Sequence, residues 1–333
     1  MNEQGGCVGA GGVARGCNAA RALVVLSLMF AGAVCSAQAR AAEVRTAAIT
    51  EDSLNRFDAA KHLVTLVDGV TVAYLDVGGR SGTPVVLIHG YTDSARDWAP
   101  LEPLLAPHFR LIIVDLRGHG ASSKPDCCYT RFDFAHDVKL LLDSLHIARA
   151  DIVGHSLGSL VAQTYAELYP AATRRLILVS STGTSFGDAA PSSGPPTATL
   201  PLWLEDVQRL EDPIDPDSAF MKDWWRQSMT INPAFFSLEQ RRDAAAIPAR
   251  VWQAIADQSL VGVDLQWMLP RIQASTLLIW GGRDTLASSA GRMALRRGLA
   301  HAETRTFESL GHDLFWENPA AVAAAITGFL STP

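Results

Sequence analysis

The stretch Asp151-Ile152-Val153-Gly154-His155-Ser156-Leu157-Gly158 decides the fold, because the rest of the chain can be arranged around it. Strand-forming residues lead into a Gly-x-Ser-x-Gly sequence, and a helix-like stretch follows over residues 159–168. A serine in this context sits on a very tight turn that presents its Oγ clear of the sheet. The positions two before and two after the serine crowd the turn, and glycine lacks the bulk to clash there. The sequence therefore predicts a nucleophile at Ser156, with the N–H groups of the following helix pointing toward it.

The composition is that of a globular protein with ample core material. Of its 333 residues, 48% are hydrophobic and 19% are charged, which allows one large α/β domain or two small ones. The net charge of −6 and the lack of a basic run argue against nucleic acid as a partner. No metal-binding or nucleotide-binding motif is present, so the sequence predicts neither a metal nor a cofactor.

The first 39 residues have the layout of a secretory signal peptide. Arg15 and Arg21 flank the start of an apolar run over residues 22–34, and Ala37-Gln38-Ala39 offers a small-x-small cleavage site. An uncleaved membrane anchor is the alternative, but an apolar run of about thirteen residues is too short to span a bilayer. We therefore expect residues 1–39 to be removed, no stable membrane span in the mature chain, and export to the periplasm or the medium.

The mature chain would keep two of the five cysteines, the adjacent pair Cys127 and Cys128. Two neighbouring cysteines neither staple a scaffold nor suit a zinc site. They are either two loop thiols or, in an oxidising compartment, a vicinal disulfide. The sequence leaves their redox state open.

Apolar runs and helical periods alternate along most of the chain. Residues 40–60 form a polar leader with no clear period, and Asp68-Gly69 then predicts a hairpin between strands at 62–67 and 70–76. Further strands are predicted at 84–88, 109–116, 151–153, 175–180, 274–280 and 303–307, and helices at 94–105, 131–145, 159–168, 287–298 and 319–330. This order predicts a mostly parallel sheet with helices on both faces.

The sheet pattern is interrupted after Thr182. A stretch rich in glycine, serine and proline follows, and residues 202–270 are helical in character and hold five of the eight tryptophans. The sequence thus predicts a helical cap, residues 185–270, inserted into a core formed by residues 61–184 and 271–333. Because such a cap roofs the site, its aromatic side chains favour an apolar or aromatic guest.

Groups suited to acyl transfer fall at the carboxyl ends of the predicted strands, where functional residues of parallel sheets gather. A serine hydroxyl needs an adjacent base, and a carboxylate must hold that base in the correct tautomer. The chain order Ser156, Asp284, His312 is the order that one family of hydrolases uses. Asp313 is the competing acid, but it adjoins the base in sequence. The backbone N–H groups of Tyr91 and Leu157 are the candidate oxyanion donors.

With these motifs aligned, residues 60–331 resemble the α/β-hydrolase superfamily, and more narrowly its capped esterases and cofactor-free haloperoxidase or perhydrolase-like members. The matching motifs are the oxyanion loop His89-Gly90-Tyr91, the Asp-x-Arg-Gly-x-Gly-x-Ser turn at 115–122, the nucleophile elbow at 154–158, the acid turn Gly282-Arg283-Asp284 and the base loop Gly311-His312. Ser159 departs from the family, many of whose members have a second glycine there. Serine is small, so we expect little consequence.

The resemblance implies an α/β-hydrolase fold and a serine hydrolase that cleaves a carboxylic ester through an acyl-serine intermediate. The same residues would serve a lactone, an amide or a carbon–carbon bond next to a ketone, or a perhydrolase or acyltransferase reaction. Branches that use a carboxylate nucleophile are disfavoured because this chain has Ser156. A non-catalytic ligand-binding protein is the remaining alternative. The expected partner is a small apolar or aromatic ester-like molecule, and the sequence does not indicate an oligomeric state.

Overall fold

Eight strands form one sheet in the part of the chain that this computed structural model describes, residues 49–80, 82–183, 202–226 and 234–332. The strands are β1 (His62–Thr65), β2 (Thr71–Gly78), β3 (Val85–Ile88), β4 (Arg110–Asp115), β5 (Ala150–His155), β6 (Thr173–Val179), β7 (Ser275–Gly281) and β8 (Glu303–Phe307). Across the sheet they follow the order β1-β2-β4-β3-β5-β6-β7-β8. β2 pairs antiparallel with β1 and β4, and all other neighbours are parallel.

Helices cover both faces of this sheet. They are α1 (Glu51–Ala59), α2 (Glu102–Leu105), α3 (Arg131–Ser144), α4 (Leu157–Leu168), α5 (Leu202–Gln208), α6 (Ala219–Arg226), α7 (Ala234–Ala245), α8 (Ala249–Ile255), α9 (Ser289–Gly298), α10 (Leu314–Glu317) and α11 (Pro319–Leu330). The remaining regular elements of the described residues are 3₁₀ turns at Ala95–Trp98, Pro170–Ala172 and Gln266–Arg271 and a π-helical turn at Ala256–Leu260.

Alternate residues of the central strands point into two separate cores, as the period of two in a strand requires. On β3, Val86 and Ile88 face the core under α3 and α4, whereas Val85 and Leu87 face the core under α2 and α11. All four side chains are fully buried. A strand buried on both faces is a continuous apolar run, which is why the sequence predicted these strands well.

The predicted hairpin is present, with Asp68 and Gly69 at its turn. Gly69 has a positive φ of 89°, and the Val70 N–H donates to Asp68 Oδ1 at 3.1 Å. The antiparallel register pairs His62 with Tyr74 and Thr65 with Thr71.

Two segments differ from the sequence expectations. The leader contains helix α1, which begins at a capping box in which Thr50 and Ser53 each bond the other's backbone N–H. It was missed because it buries Leu54 alone and so shows no clear apolar period. The predicted helix over 94–105 is instead a 3₁₀ turn and the short α2, as expected for a segment interrupted by Pro100 and Pro103.

Helices α5 to α8 lie between β6 and β7 in the chain, at the position of the predicted cap. The predicted signal peptide, most of the stretch rich in glycine, serine and proline after Thr182, and residues 227–233 lie outside the described residues. Within the described ranges, no helix has both the length and the apolar character needed to cross a membrane.

Cys127 and Cys128 are exposed free thiols rather than a vicinal disulfide.

Candidate active site

Ser156 stands on the sharp turn between β5 and α4. Its φ of 52° and ψ of −119° are strained for a residue with a side chain, as the sequence predicted for this position. The turn is fixed by the Ser156 N–H, which donates to the Val179 carbonyl at 3.0 Å, and by Ser159 Oγ, which donates to the Ser156 carbonyl at 2.6 Å. The departure at Ser159 therefore adds a hydrogen bond within the turn.

The two flanking glycines are required by backbone contacts. A Cβ on Gly154 would collide with the backbone of Gly158, and a Cβ on Gly158 would collide with the carbonyl groups of Ile88 and His89. The turn thus packs directly on the loop that follows β3. This close approach brings the loop that carries Tyr91 next to Ser156.

Asp284 and His312 meet at the ends of β7 and β8. Asp284 Oδ2 lies 3.0 Å from His312 Nδ1, and Asp284 Oδ1 accepts from the backbone N–H groups of Leu286 and Ala287 at 2.8 and 3.1 Å. Burial raises the pKa of Asp284, but the facing His312 ring and these N–H groups outweigh burial and bring it to about 2. The group is therefore a carboxylate, able to hold the His312 ring in one tautomer. The competing Asp313 lies instead beside His155, at 3.6 Å.

Hydrogen bonds hold the start of the loop after β3. His89 Nε2 accepts from the Leu116 N–H at 3.0 Å, so its Nδ1 carries the proton that is donated to the Gly90 carbonyl at 2.8 Å. Burial lowers the pKa of His89 to about 3, which keeps the ring neutral. The Tyr91 hydroxyl donates to the carbonyl of Trp252 in the cap at 2.6 Å. Leu157 is the first residue of α4, so its N–H has no partner within the helix.

A cavity of about 140 Å³ opens above Ser156 and His312. Four of its eleven described lining residues are tyrosine or tryptophan, from both the core and the cap: Tyr91, Trp203, Trp224 and Trp225. The Trp224 ring lies 5.7 Å from Tyr91 and 5.8 Å from Trp203, and its Nε1 donates to Thr92 Oγ1 at 3.2 Å. Three of the five tryptophans in the predicted cap thus face the site, whereas Trp267 is 70% exposed.

A buried acidic cluster, Asp93, Asp97 and Asp313 around His155, lies behind the site and was missed by the sequence analysis. His155 Nδ1 is 3.3 Å from Asp97 Oδ2, and Trp316 Nε1 donates to Asp97 Oδ1. The only signals in the sequence were the two acids that follow the oxyanion loop and the His-Asp pair at 312–313. His155 itself is fully buried at the centre of this cluster.

Burial and neighbouring charges set the protonation of this cluster. Burial, together with Asp97, Asp313 and Asp243, raises the pKa of Asp93 well above its usual range, which favours the protonated form of this carboxyl. Its Oδ1 accepts from Gln240 Nε2 of the cap at 2.9 Å. Asp93, Asp97 and His155 bring side-chain oxygen and nitrogen atoms within 4.8 Å of one another, but the raised pKa values of Asp93 and His155 favour their protonated forms and so disfavour a cation there. The predicted absence of a metal stays a prediction.

Comparisons with known proteins agree on the architecture. The family model described as alpha/beta hydrolase fold matches residues 83–319. A 2-hydroxy-6-oxononadienedioate/2-hydroxy-6-oxononatrienedioate hydrolase from Paraburkholderia xenovorans is 27% identical over 85% of this chain and 98% of its own. An esterase from Exiguobacterium antarcticum superposes with a TM-score of 0.71 at 21% identity, covering 81% of this chain and 99% of its own. For a bacterial membrane phospholipase A, the TM-score is 0.68 at 25% identity, over 93% and 97%. The fold predicted from the sequence is confirmed.

Proposed function

Since the chain belongs to the alpha/beta hydrolase fold family, we propose that it is a serine hydrolase that cleaves carboxylic esters through an acyl-serine intermediate. The observation that carries the proposal is the 3.0 Å contact between Asp284 Oδ2 and His312 Nδ1. Ser156 and His312 line the same cavity, so nucleophile, base and acid would act on one substrate.

In the proposed reaction, Ser156 Oγ attacks the ester carbonyl carbon while His312 Nε2 takes the hydroxyl proton. The Asp284 carboxylate stabilises the imidazolium that forms. The carbonyl oxygen, now an oxyanion, accepts from the N–H groups of Tyr91 and Leu157. The C–O bond then breaks, and His312 returns its proton to the leaving alkoxide. Water repeats the sequence on the acyl-serine and releases the acid.

The cavity lining favours an uncharged, apolar or aromatic substrate. None of the described residues that line it is lysine or arginine, and its charged or acidic groups include Asp93 and Asp313. A substrate carboxylate would therefore meet two acidic side chains and no lysine or arginine, and the nearby His155 already faces Asp97 and Asp313, so its burial is costly. The P. xenovorans relative is named for dicarboxylate substrates. We propose that this chain differs from that relative in taking a neutral ester.

Pairs of esters that differ only by a carboxylate test this proposal directly. Ethyl phenylacetate and its 4-carboxy derivative are suitable, alongside p-nitrophenyl esters of graded chain length. We expect kcat/KM for the neutral ester to be higher by at least about tenfold, because the carboxylate loses its hydration without gaining a partner. Ser156→Ala should abolish turnover, and Ser331→Ala, at an exposed position near the C-terminus, should not. Preference for the carboxylated ester, or turnover of a dienedioate but of no ester, would contradict the proposal.

A further inference from the structure

His155, the residue before the candidate nucleophile, lies directly behind His312. It has no exposed surface, and the two imidazole rings are 5.0 Å apart between centroids. His155 Nε2 donates to the His312 carbonyl at 3.1 Å, and Ser180 Oγ donates to the same oxygen at 2.7 Å. The backbone of the candidate base thus accepts hydrogen bonds from the last residue of β5 and from the residue that follows β6.

Both ring nitrogens of His155 face acceptors. Nδ1 lies 3.3 Å from Asp97 Oδ2, while Nε2 faces the His312 carbonyl and, at 3.6 Å, Asp313 Oδ1. The Nδ1 contact is an ion-pair distance without an aligned hydrogen bond, and a carboxylate this close favours the doubly protonated ring by charge attraction. Burial lowers the pKa of His155, but the facing Asp97 and Asp313 carboxylates outweigh burial and raise it.

The other titratable groups around His155 do not reverse this charge. The raised pKa of Asp93 favours its neutral form, and the pKa of His89, lowered by burial to about 3, keeps that ring neutral. The Phe315 ring, 4.9 Å away, closes the remaining side of the imidazole. Asp97 is itself held by Trp316 Nε1, at 3.1 Å. These contacts favour a positively charged His155 ring between Asp97 and Asp313, next to the candidate base.

We propose that His155 is a positioning residue for His312: its imidazolium fixes the base loop through the His312 carbonyl and sets the charge that His312 meets when it takes a proton. This inference rests on the proposed function, because it assigns His155 an effect on general-base catalysis. It follows that removing the charge should change the pH dependence of nucleophile activation, and not only the amount of folded protein.

The test is the rate at which an organophosphonate labels Ser156, measured from pH 5 to 9, in the wild type and in His155→Gln. Glutamine keeps an N–H for the His312 carbonyl but carries no charge. Without the neighbouring positive charge, His312 gains its proton more readily, so the midpoint of the acid limb should move up by at least about half a pH unit. His301→Gln, the same change at an exposed histidine, should leave the midpoint unchanged.

A compensating variant and a direct titration complete the experiment. In the His155→Gln/Asp97→Asn double variant one charge of each sign is lost, so the midpoint should return toward the wild-type value.

If His155→Gln does not fold, NMR of wild-type protein labelled at histidine Cε1 decides, because His155 should be doubly protonated at pH 7. A neutral His155, or an unmoved midpoint in folded His155→Gln, overturns the inference while the hydrolase proposal stands. A wild type that is not labelled at all overturns both.

Discussion

Tyr91 contributes to the site through its backbone and its side chain in different ways. Its N–H is the proposed oxyanion donor, whereas its hydroxyl is already bound to the Trp252 carbonyl at 2.6 Å. The ring also packs edge-on against Trp224 and Trp252 in the cap. The phenol therefore joins loop and cap, and is not available as a proton donor to substrate.

Two substitutions separate these contributions. Tyr91→Phe loses one hydrogen bond, at a cost of about 1 kcal/mol in the free energy of unfolding, and should keep kcat within about threefold. Tyr91→Pro removes the N–H, and losing one such donor typically lowers kcat by about 10² to 10³. Steady-state kinetics with a p-nitrophenyl ester, on variants shown by circular dichroism to be folded, provide the measurement. Equal collapse of kcat in a folded Tyr91→Phe would make the hydroxyl the catalytic group and our assignment wrong.

The candidate site residues that directly follow predicted strands could be identified from the sequence. The buried acids that reach the site only through tertiary contacts could not. Ser156, Asp284 and His312 each stand in a motif at a strand end, and the structure brings them to one cavity, although their catalytic roles stay predictions. Asp93 and Asp97 carry no such motif. Their significance depends on the loop after β3 folding back against His155, which is a tertiary contact without a local signal.

Helix α4 links the elbow to a buried acid at its far end. Glu167 is fully buried, and its Oε1 accepts from Gln163 Nε2 at 2.9 Å. Burial raises the pKa of Glu167 from 4.5 to about 7, against the opposing effects of this hydrogen bond and of Arg131 and Arg271. The charged form is thus disfavoured in the folded state, and the stability of the helix that carries the elbow depends on pH.

The sign of this dependence can be predicted. Between pH 4.5 and about 7 the folded state binds a proton that the unfolded state has released, so stability falls as pH rises through this window. Glu167→Gln keeps a neutral, hydrogen-bonding side chain, and should raise the free energy of unfolding at pH 8 by up to about 3 kcal/mol while changing little at pH 4. Urea unfolding at the two pH values measures the difference. Glu303→Gln, on the exposed edge of β8, is the control, and a gain equal at both pH values would contradict the buried-acid account.

The more completely a helix or strand is buried, the more accurately the sequence predicted it. β3, β4 and β7 are buried along nearly their full length, so their apolar runs were unambiguous. Helix α1 was not predicted, because it is short, mostly exposed and defined by its cap. The helix boundaries within the cap could not be predicted either. Helix α8 changes to a π-helical turn at Ala256–Leu260 without a helix-breaking residue such as proline at that point.

On the scale of the whole molecule, the cap is tied to the loop after β3 rather than to the sheet alone. Arg96 forms ion pairs with Glu239 and Asp243 of α7 and with Asp58 of α1. Gln240 of α7 donates to Asp93. Because the same loop carries the proposed oxyanion donor, a shift of the cap would be transmitted to the site, so binding under the cap and catalysis should be coupled.

Export is a further prediction for the whole chain, made from the sequence of residues 1–39. The positively charged start, apolar run and small-x-small site are the pattern that signal peptidase cleaves. Mass spectrometry of the protein isolated from its native host should find an N-terminus near Arg40, in the periplasmic or extracellular fraction. Soluble protein that retains Met1 would show that the signal peptide was wrongly predicted.

Labelling of Ser156 tests the central claim, an activated serine at the elbow, most directly. An organophosphonate should add one label to the wild type and to Ser331→Ala, and none to Ser156→Ala, because only a serine paired with a base attacks phosphorus at an appreciable rate. Peptide mapping should place the label on Ser156. A label that persists in folded Ser156→Ala, or a wild type that stays unlabelled at pH 8, would contradict the account.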